Sequence, residues 1–405
     1  MHVEQTHIQP GPRRIAVVTS SRADYAHLYW LLRELDARPG CDVRLLVTGA
    51  HLSPVFGRSV QEIEADGFPI HARINCLPSA DTDVAMGKAI GVGVLGFTDV
   101  LSRLRPDLLV LVADRYEMLA PACAALTLRI AVAHIEGGER SEGAIDQTVR
   151  DALTMMSHLH FVSTERARAR LLQLGEEPWR VHRVGAGSLD HLRHGPRLSG
   201  PQLETRLGVR VAPEAIIASF HAVTVDQPTT DEADVFFEAM GAIDGQIIWC
   251  YPNADAGSRA IIDHARRFCR ERPDAHLVVN VHPTVYWSLL DRAALICGNS
   301  SSGIIESTAA GLPAVNVGKR QQGRETALNI ETVPAEVDAI RSAIARARQP
   351  GRPREPWSIG SPYGDGHAGR RTADVLANVA LNTRLRMKRL EPQPCVEAPP
   401  ETPDG

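Results

Sequence analysis

The chain lacks any Cys-x-x-Cys pair, although seven cysteines (Cys41, Cys76, Cys123, Cys250, Cys269, Cys297 and Cys395) are spread along its 405 residues. Several fall inside apolar runs, which suits reduced, packed thiols and predicts a cytoplasmic protein. No charged-then-apolar leader opens the sequence, and no unbroken run of eighteen apolar residues occurs, so neither export nor membrane spanning is expected. Neither charge sign dominates: 44 Lys+Arg stand against 48 Asp+Glu for a net charge of −4, and the sequence pI is near 6.5. The basic residues are scattered, so no nucleic-acid or anionic-membrane surface is implied, and the expected partner is small. What is present is an ordinary globular composition, 44% hydrophobic and 23% charged, over a length that suggests two domains.

From Arg14 onward, β-branched and leucine-rich runs alternate with segments of helical period, the pattern of α/β layers built on parallel sheets. Strands are expected near 14–19, 42–48, 107–112, 129–133, 159–163 and 181–184, then near 215–220, 246–251, 276–281, 294–297 and 313–317. Helices are expected near 25–37, 84–104, 116–127, 144–156 and 164–174, and near 231–242, 257–270, 284–292, 303–310 and 334–347. The glycine- and proline-bearing stretch 191–213 reads as the junction. This gives an N-terminal domain at 13–190, a C-terminal domain at 191–368, and one amphipathic helix at 369–388 that packs back across the junction. Residues 1–12 and 389–405 are expected to be disordered.

In open parallel sheets ligands bind beyond the carboxyl ends of strands, so polar residues that directly follow apolar runs are the candidates. They are Ser20, Ser21, Arg22 and Asp24; Asp114 and Arg115; His134, Glu136, Glu139 and Asp146; His221; Asn253 and Asp255; and Arg320. The richest segment is Leu295-Ile-Cys-Gly-Asn-Ser-Ser-Ser-Gly-Ile-Ile-Glu306, where an apolar run stops at Gly298 and a hydroxyl-rich turn enters a helical pattern. Free N–H groups and the Ser300, Ser301 and Ser302 hydroxyls suit phosphate oxygens, and Glu306, one turn on, suits ribose hydroxyls. A plain helix cap is the alternative, but Ser302 to Glu306 is four residues, not the three of a capping box. Asp24 reads as a helix cap. Arg22 and Arg115 are either solvated charges or forks for a diphosphate. His134-x-Glu136 lacks the Pro-Cys-x-x-Cys partner of a zinc deaminase, so no metal is expected.

Assembled in order, these residues resemble the hydrolysing UDP-N-acetylglucosamine 2-epimerase family over roughly residues 14–385. The resemblance rests on Ser21-Arg-Ala-Asp-Tyr25, Ala113-Asp-Arg-Tyr-Glu117, His134-Ile-Glu-Gly-Gly-Glu139, Glu142-Gly-Ala-Ile-Asp146, Asn253-Ala-Asp-Ala-Gly-Ser258, Gly298-Asn-Ser-Ser-Ser-Gly303 and Arg320-Gln-Gln-Gly-Arg324. The non-hydrolysing sister enzymes are less similar: they show Arg-Pro-Glu and His-Arg-Arg-Glu-Asn where this chain has Arg22-Ala-Asp and His221-Ala-Val-Thr. The family commonly has proline after the histidine, where this chain has Ala222.

The resemblance implies two facing Rossmann-like domains of GT-B type with the active site in the interdomain cleft. It implies Asp114, Glu136 and Asp146 as acid–base carboxylates with His134 beside them. The nucleotide is then expected against Arg22, Arg115, His221, Asn253, Asp255, Ser300, Ser301, Ser302, Glu306 and Arg320. The implied reaction is conversion of UDP-N-acetylglucosamine to N-acetylmannosamine and UDP through a glycal, with no cofactor, in a homodimer or homotetramer. The alternatives are the same reaction on a UDP- or GDP-linked 2,4-diacetamido-6-deoxy sugar, a GT-B glycosyltransferase, and a non-catalytic nucleotide-sugar sensor.

Overall fold

Thirteen strands, all paired in parallel with their neighbours, form two sheets in the computed structural model, which describes residues 11–80, 82–142, 144–223, 231–252, 254–349 and 355–390. The first sheet contains β1 (Arg13–Thr19), β2 (Cys41–Thr48), β3 (Ile70–Ile74), β4 (Leu108–Val112), β5 (Ala131–Ile135), β6 (Leu159–Val162) and β7 (Val181–Arg183), in the order β3-β2-β1-β4-β5-β6-β7. The second contains β8 (Ile216–Ser219), β9 (Ile247–Cys250), β10 (Ala275–Val278), β11 (Leu295–Gly298), β12 (Ala314–Val317) and β13 (Ile330–Val333), in the order β10-β9-β8-β11-β12-β13. Central strands such as Leu108-Leu-Val-Leu-Val112 are buried throughout, because helices cover both faces of a parallel sheet. Each sheet and its helices form a lobe with its own apolar core.

Both sheets reverse strand order once, β1 against β4 in the first lobe and β8 against β11 in the second. The crevice at such a switch point is where an α/β sheet receives a ligand. The segments leaving it are Ser20–Arg22 and Ala113–Arg115 in one lobe, and Phe220–His221 and Asn299–Ser302 in the other. These are the segments that the sequence marks as polar.

Several expectations need correction. The edge strands β3 and β13 are absent from the sequence pattern, because their half-exposed sequences Ile-His-Ala-Arg-Ile and Ile-Glu-Thr-Val carry too few apolar residues to stand out. The 191–213 junction holds two helices, Asp190–His194 and Gly200–Leu207. Gly200 and Pro201 read as breakers, but proline is tolerated in a first helical turn and Ser199 with Gln202 closes a capping box there. The C-terminal helix is two pieces, Ala368–Asn378 and Thr383–Arg386, the second capped by Asn382. Ala368, Ala373, Leu376 and Leu385 join the first lobe's core, and Asp190 accepts the N–H groups of Ala368 at 2.9 Å and Gly369 at 2.7 Å. Leu390, expected in a disordered tail, pairs antiparallel with Glu176. The expected disorder of 1–10 and 391–405 lies outside the described residues.

The helix Asp83–Leu104 is long and apolar enough to cross a membrane by length and composition. Lys88 and Asp99 interrupt it, which is why no unbroken run is seen in the sequence.

Candidate active site

The helix Arg22–Asp36 begins at a capping box: Ser21 accepts from the Asp24 N–H, and the Asp24 carboxylate accepts from the N–H groups of Ser20 and Ser21, each at 3.0 Å. Asp24 therefore caps the helix. This fixes the first turn so that Arg22, Ala23, Ala26 and His27 line one wall of a cleft of about 1230 Å³, counting the space open to solvent. Asp114, Arg115, Glu136, Asp146, Arg150 and Ser188 complete the first-lobe wall. Facing them from the second lobe are His221, Tyr286, Ser300, Ser301, Ser302, Glu306, Arg320 and Arg324.

Two of the carboxylates are delivered by backbone that L-residues avoid. Ala113, just before Asp114, has φ 56°, and Glu136 itself has φ 65°. Left-handed conformation costs a non-glycine residue about 1–2 kcal/mol. The ladder bonds Ala113 N–H to Ile135 O (2.9 Å) and Glu136 N–H to Phe161 O (2.8 Å) hold these turns in place. His134 contributes from below, donating through Nε2 to the Ala113 carbonyl at 2.7 Å. It is fully buried, does not line the cleft, and burial pushes its imidazole down to about 4, so it is a neutral strut. His134, expected beside the acid–base carboxylates, thus stands behind them, between the Ala113 carbonyl and Thr154 of the helix Asp146–Met156.

The remaining acids differ in environment. Burial would raise Glu136, but His27, whose Nδ1 lies 3.2 Å from Oε1, together with Arg324 and a 3.1 Å bond from Ser163, holds it down to about 2. Asp146, at the start of the helix Asp146–Met156, goes the other way: burial, then the charges of Asp114 and Asp255, push it up to about 7 against Arg320 and Arg115. Asp114 is held by the almost fully buried Arg150, which also donates to Ser141 at 2.8 Å and to the Glu139 carbonyl at 3.2 Å. One carboxylate held down and another pushed up on the same cleft wall is an arrangement that can separate a proton acceptor from a donor.

The serine turn is short. Ser300 accepts from the Ser302 N–H at 3.3 Å, Ser301–Gly303 form a 3-10 turn, and the α-helix that follows is only Ile305–Ala310. An anion at this turn would therefore meet hydroxyls and arginines more than a helix dipole. Tyr286 steadies Ser302 at 2.5 Å. Gly298 makes the turn possible: its φ is 138°, and a Cβ there would lie 1.9 Å from the Ser219 carbonyl on β8. Around this turn, buried donors stand without protein partners among the described residues: Arg22 Nη1, Arg320 Nε, Arg324 Nε and Nη1, and Ser188 Oγ. Donors left without a protein partner on a cleft wall are available to a ligand's oxygens.

Arg320 bridges the lobes, reaching Asp146 at 3.3 Å while its other nitrogen donates to the Asn299 carbonyl at 3.2 Å. Arg115 pairs with Asp255 and lies 3.4 Å from Glu117, so Asp255 anchors an arginine and does not line the cleft. His221 exchanges backbone–side-chain bonds with Asn299 at 2.7 and 2.9 Å, and burial drives its imidazole well below the usual range. Asn253 lies outside the described residues. Sequence reasoning missed His27, Arg150, Tyr286 and Arg324 as cleft residues; the position of Arg324 inside a motif with Arg320 was the one usable signal.

The family described as UDP-N-acetylglucosamine 2-epimerase matches residues 33–377. The chain is also 35% identical over 378 residues to the UDP-N,N'-diacetylbacillosamine 2-epimerase (hydrolyzing) of Legionella pneumophila, covering 93% of this chain and 98% of that one. It belongs to the hydrolysing UDP-N-acetylglucosamine 2-epimerase family. The UDP-N-acetylglucosamine 2-epimerase of Neisseria meningitidis is 30% identical over 337 residues, covering 83% of this chain and 87% of that one. Among solved structures, the Methanocaldococcus jannaschii UDP-GlcNAc 2-epimerase in complex with UDP-GlcNAc and UDP matches with a TM-score of 0.74 at 19% identity, over 90% of this chain and 99% of that one. That likeness shows the fold alone: two GT-B-like α/β lobes, as the epimerase family has.

Proposed function

We propose that this chain hydrolyses a UDP-linked 2-acetamido sugar with inversion at C2, taking UDP-N-acetylglucosamine to N-acetylmannosamine and UDP. The observation that carries the reading is the pairing across one cleft of differently poised carboxylates, Glu136 and Asp146, with a wall of hydroxyls and unpartnered arginine donors around Ser300–Ser302.

The C2 proton of a sugar is too weakly acidic for an unaided carboxylate. The C1–O bond to the diphosphate breaks first, its electron pair leaving with UDP, and the cation developing at C1 acidifies C2. Ser300–Ser302, Arg22 and Arg320 stabilise the charge that grows on the leaving group. Glu136, ionised, takes the C2 proton, and the C–H electron pair becomes the C1=C2 bond of a bound glycal. Asp146 then delivers its proton to C2 from the opposite face while water adds its oxygen to C1. Exchange with solvent restores both carboxylates, and the one proton left over matches the extra charge of free UDP. Asp114, clamped by Arg150, raises Asp146 toward neutrality and so keeps a donor available.

A second reading, the same chemistry on a UDP-linked 2,4-diacetamido-6-deoxy sugar, is favoured by the Legionella relative. Both sugars demand the same steps at C1 and C2. Measuring UDP release from each nucleotide sugar decides between them: the true substrate shows the higher kcat/KM, and release from neither refutes the proposed activity.

A further inference from the structure

His27 lies on the first cleft-facing turn of the helix Arg22–Asp36, its side chain only 13% exposed, with Nδ1 3.2 Å from Glu136 Oε1 in an ion-pair contact that is not aligned as a hydrogen bond. Ser163 acts on the same oxygen, and no described residue bonds Oε2. Glu136 is thus held through one oxygen and presents the other to the cleft. We propose that His27 is a positioning residue for the reaction at C2: as the imidazolium it keeps Glu136 ionised and aims Oε2 at the substrate, a role that rests on the proposed epimerase reading.

The surroundings favour that charge state. Glu136 faces His27 from the end of β5, Glu306 from the second lobe, and Asp24 from its own helix, while His191 on the helix Asp190–His194 opposes them. Burial alone would depress the imidazolium, but these three carboxylates outweigh it and lift His27 to about 9. With His27 neutral, the desolvation that Glu136 suffers is left opposed mainly by Arg324 and Ser163. Its carboxyl then takes up a proton at higher pH and ceases to be a base.

Two measurements on the full chain test this. The first follows the His27 ring by NMR across pH in wild type and in Glu136→Gln. Loss of the carboxylate is expected to lower the midpoint by at least about one unit, and an unmoved midpoint overturns the pairing whether or not the chain is an epimerase. The second compares pH profiles of kcat/KM. His27→Gln is expected to move the acidic limb up by about two units, toward or beyond the ordinary glutamate value, while His27→Lys, which keeps a cation there, retains the wild-type limb. If the lysine variant folds and shows the glutamine variant's limb, or if the glutamine limb does not move, the role is refuted. Absence of turnover in wild type with an intact NMR coupling refutes the epimerase reading and leaves the His27–Glu136 pair standing.

Discussion

Replacing Asp146 by asparagine removes the group whose environment is most clearly tuned for proton donation. In the folded protein its carboxyl is lifted from 3.8 to about 7 by burial and by Asp114 and Asp255. Three units correspond to a preference for the protonated form of about 4 kcal/mol, at about 1.36 kcal/mol per unit. The sign follows from the chemistry: the acid is competent while protonated, so kcat/KM should be level below pH 7 and fall about tenfold per unit above it. An asparagine side chain of the same shape cannot deliver the proton, and the loss of a positioned acid is worth roughly 10²–10⁴ in kcat, or about 3–5 kcal/mol in barrier. UDP affinity should hold within about threefold, because the lost interaction belongs to the transition state. Arg320, released from its 3.3 Å contact, keeps its bond to the Asn299 carbonyl. Steady-state release of UDP between pH 5.5 and 8.5, as rough bounds around that pKa, with calorimetry of UDP binding, measures both quantities. A variant with near wild-type kcat, or one that keeps the fall above pH 7, refutes the assignment.

Glu136→Gln is expected to lower turnover by orders of magnitude while UDP still binds, and Asp114→Asn, which removes a charge that raises Asp146, to move the fall of kcat/KM to lower pH; unchanged turnover in the first or an unmoved fall in the second removes that residue from the mechanism. Ser301→Ala and Glu306→Ala should chiefly weaken UDP binding, by about tenfold for a contact worth about 1.4 kcal/mol, and calorimetry showing unaltered affinity contradicts the cradle. Gly298→Ala places a methyl group 1.9 Å from the Ser219 carbonyl. It should force β11 from β8 at a cost on the order of 3 kcal/mol, seen as a lowered Tm; wild-type melting would show that the close approach is not needed.

The legible part of this site was the part that lies at strand ends. Asp114, Glu136, Ser300–Ser302 and Arg320 follow apolar runs directly, and an apolar run that stops at a polar residue is visible locally. The groups that tune them were not legible, because each acts across a long sequence separation. Arg150 meets Asp114 through the packing of a helix on a neighbouring strand, and His27 meets Glu136 only because β1 and β5 both pair with β4, which brings the helix after β1 to the end of β5. His134 shows the converse. It stands two residues from Glu136, so alternation along β5 would put both side chains on one face, but the left-handed turn at Glu136 breaks the alternation and sends one inward and the other into the cleft. In the fold, buried strands were evident from their apolar runs, whereas β3 and β13 gain their identity from pairing at a sheet edge.

Proton exchange at C2 is the step on which the whole account turns. The most direct measurement is incubation with UDP-N-acetylglucosamine and its 2,4-diacetamido-6-deoxy counterpart in deuterated water, followed by NMR of the products. The account predicts a free 2-epimer carrying deuterium at C2 together with UDP from one of these substrates. A product still joined to the nucleotide, or a released sugar with its original C2 proton, would contradict it.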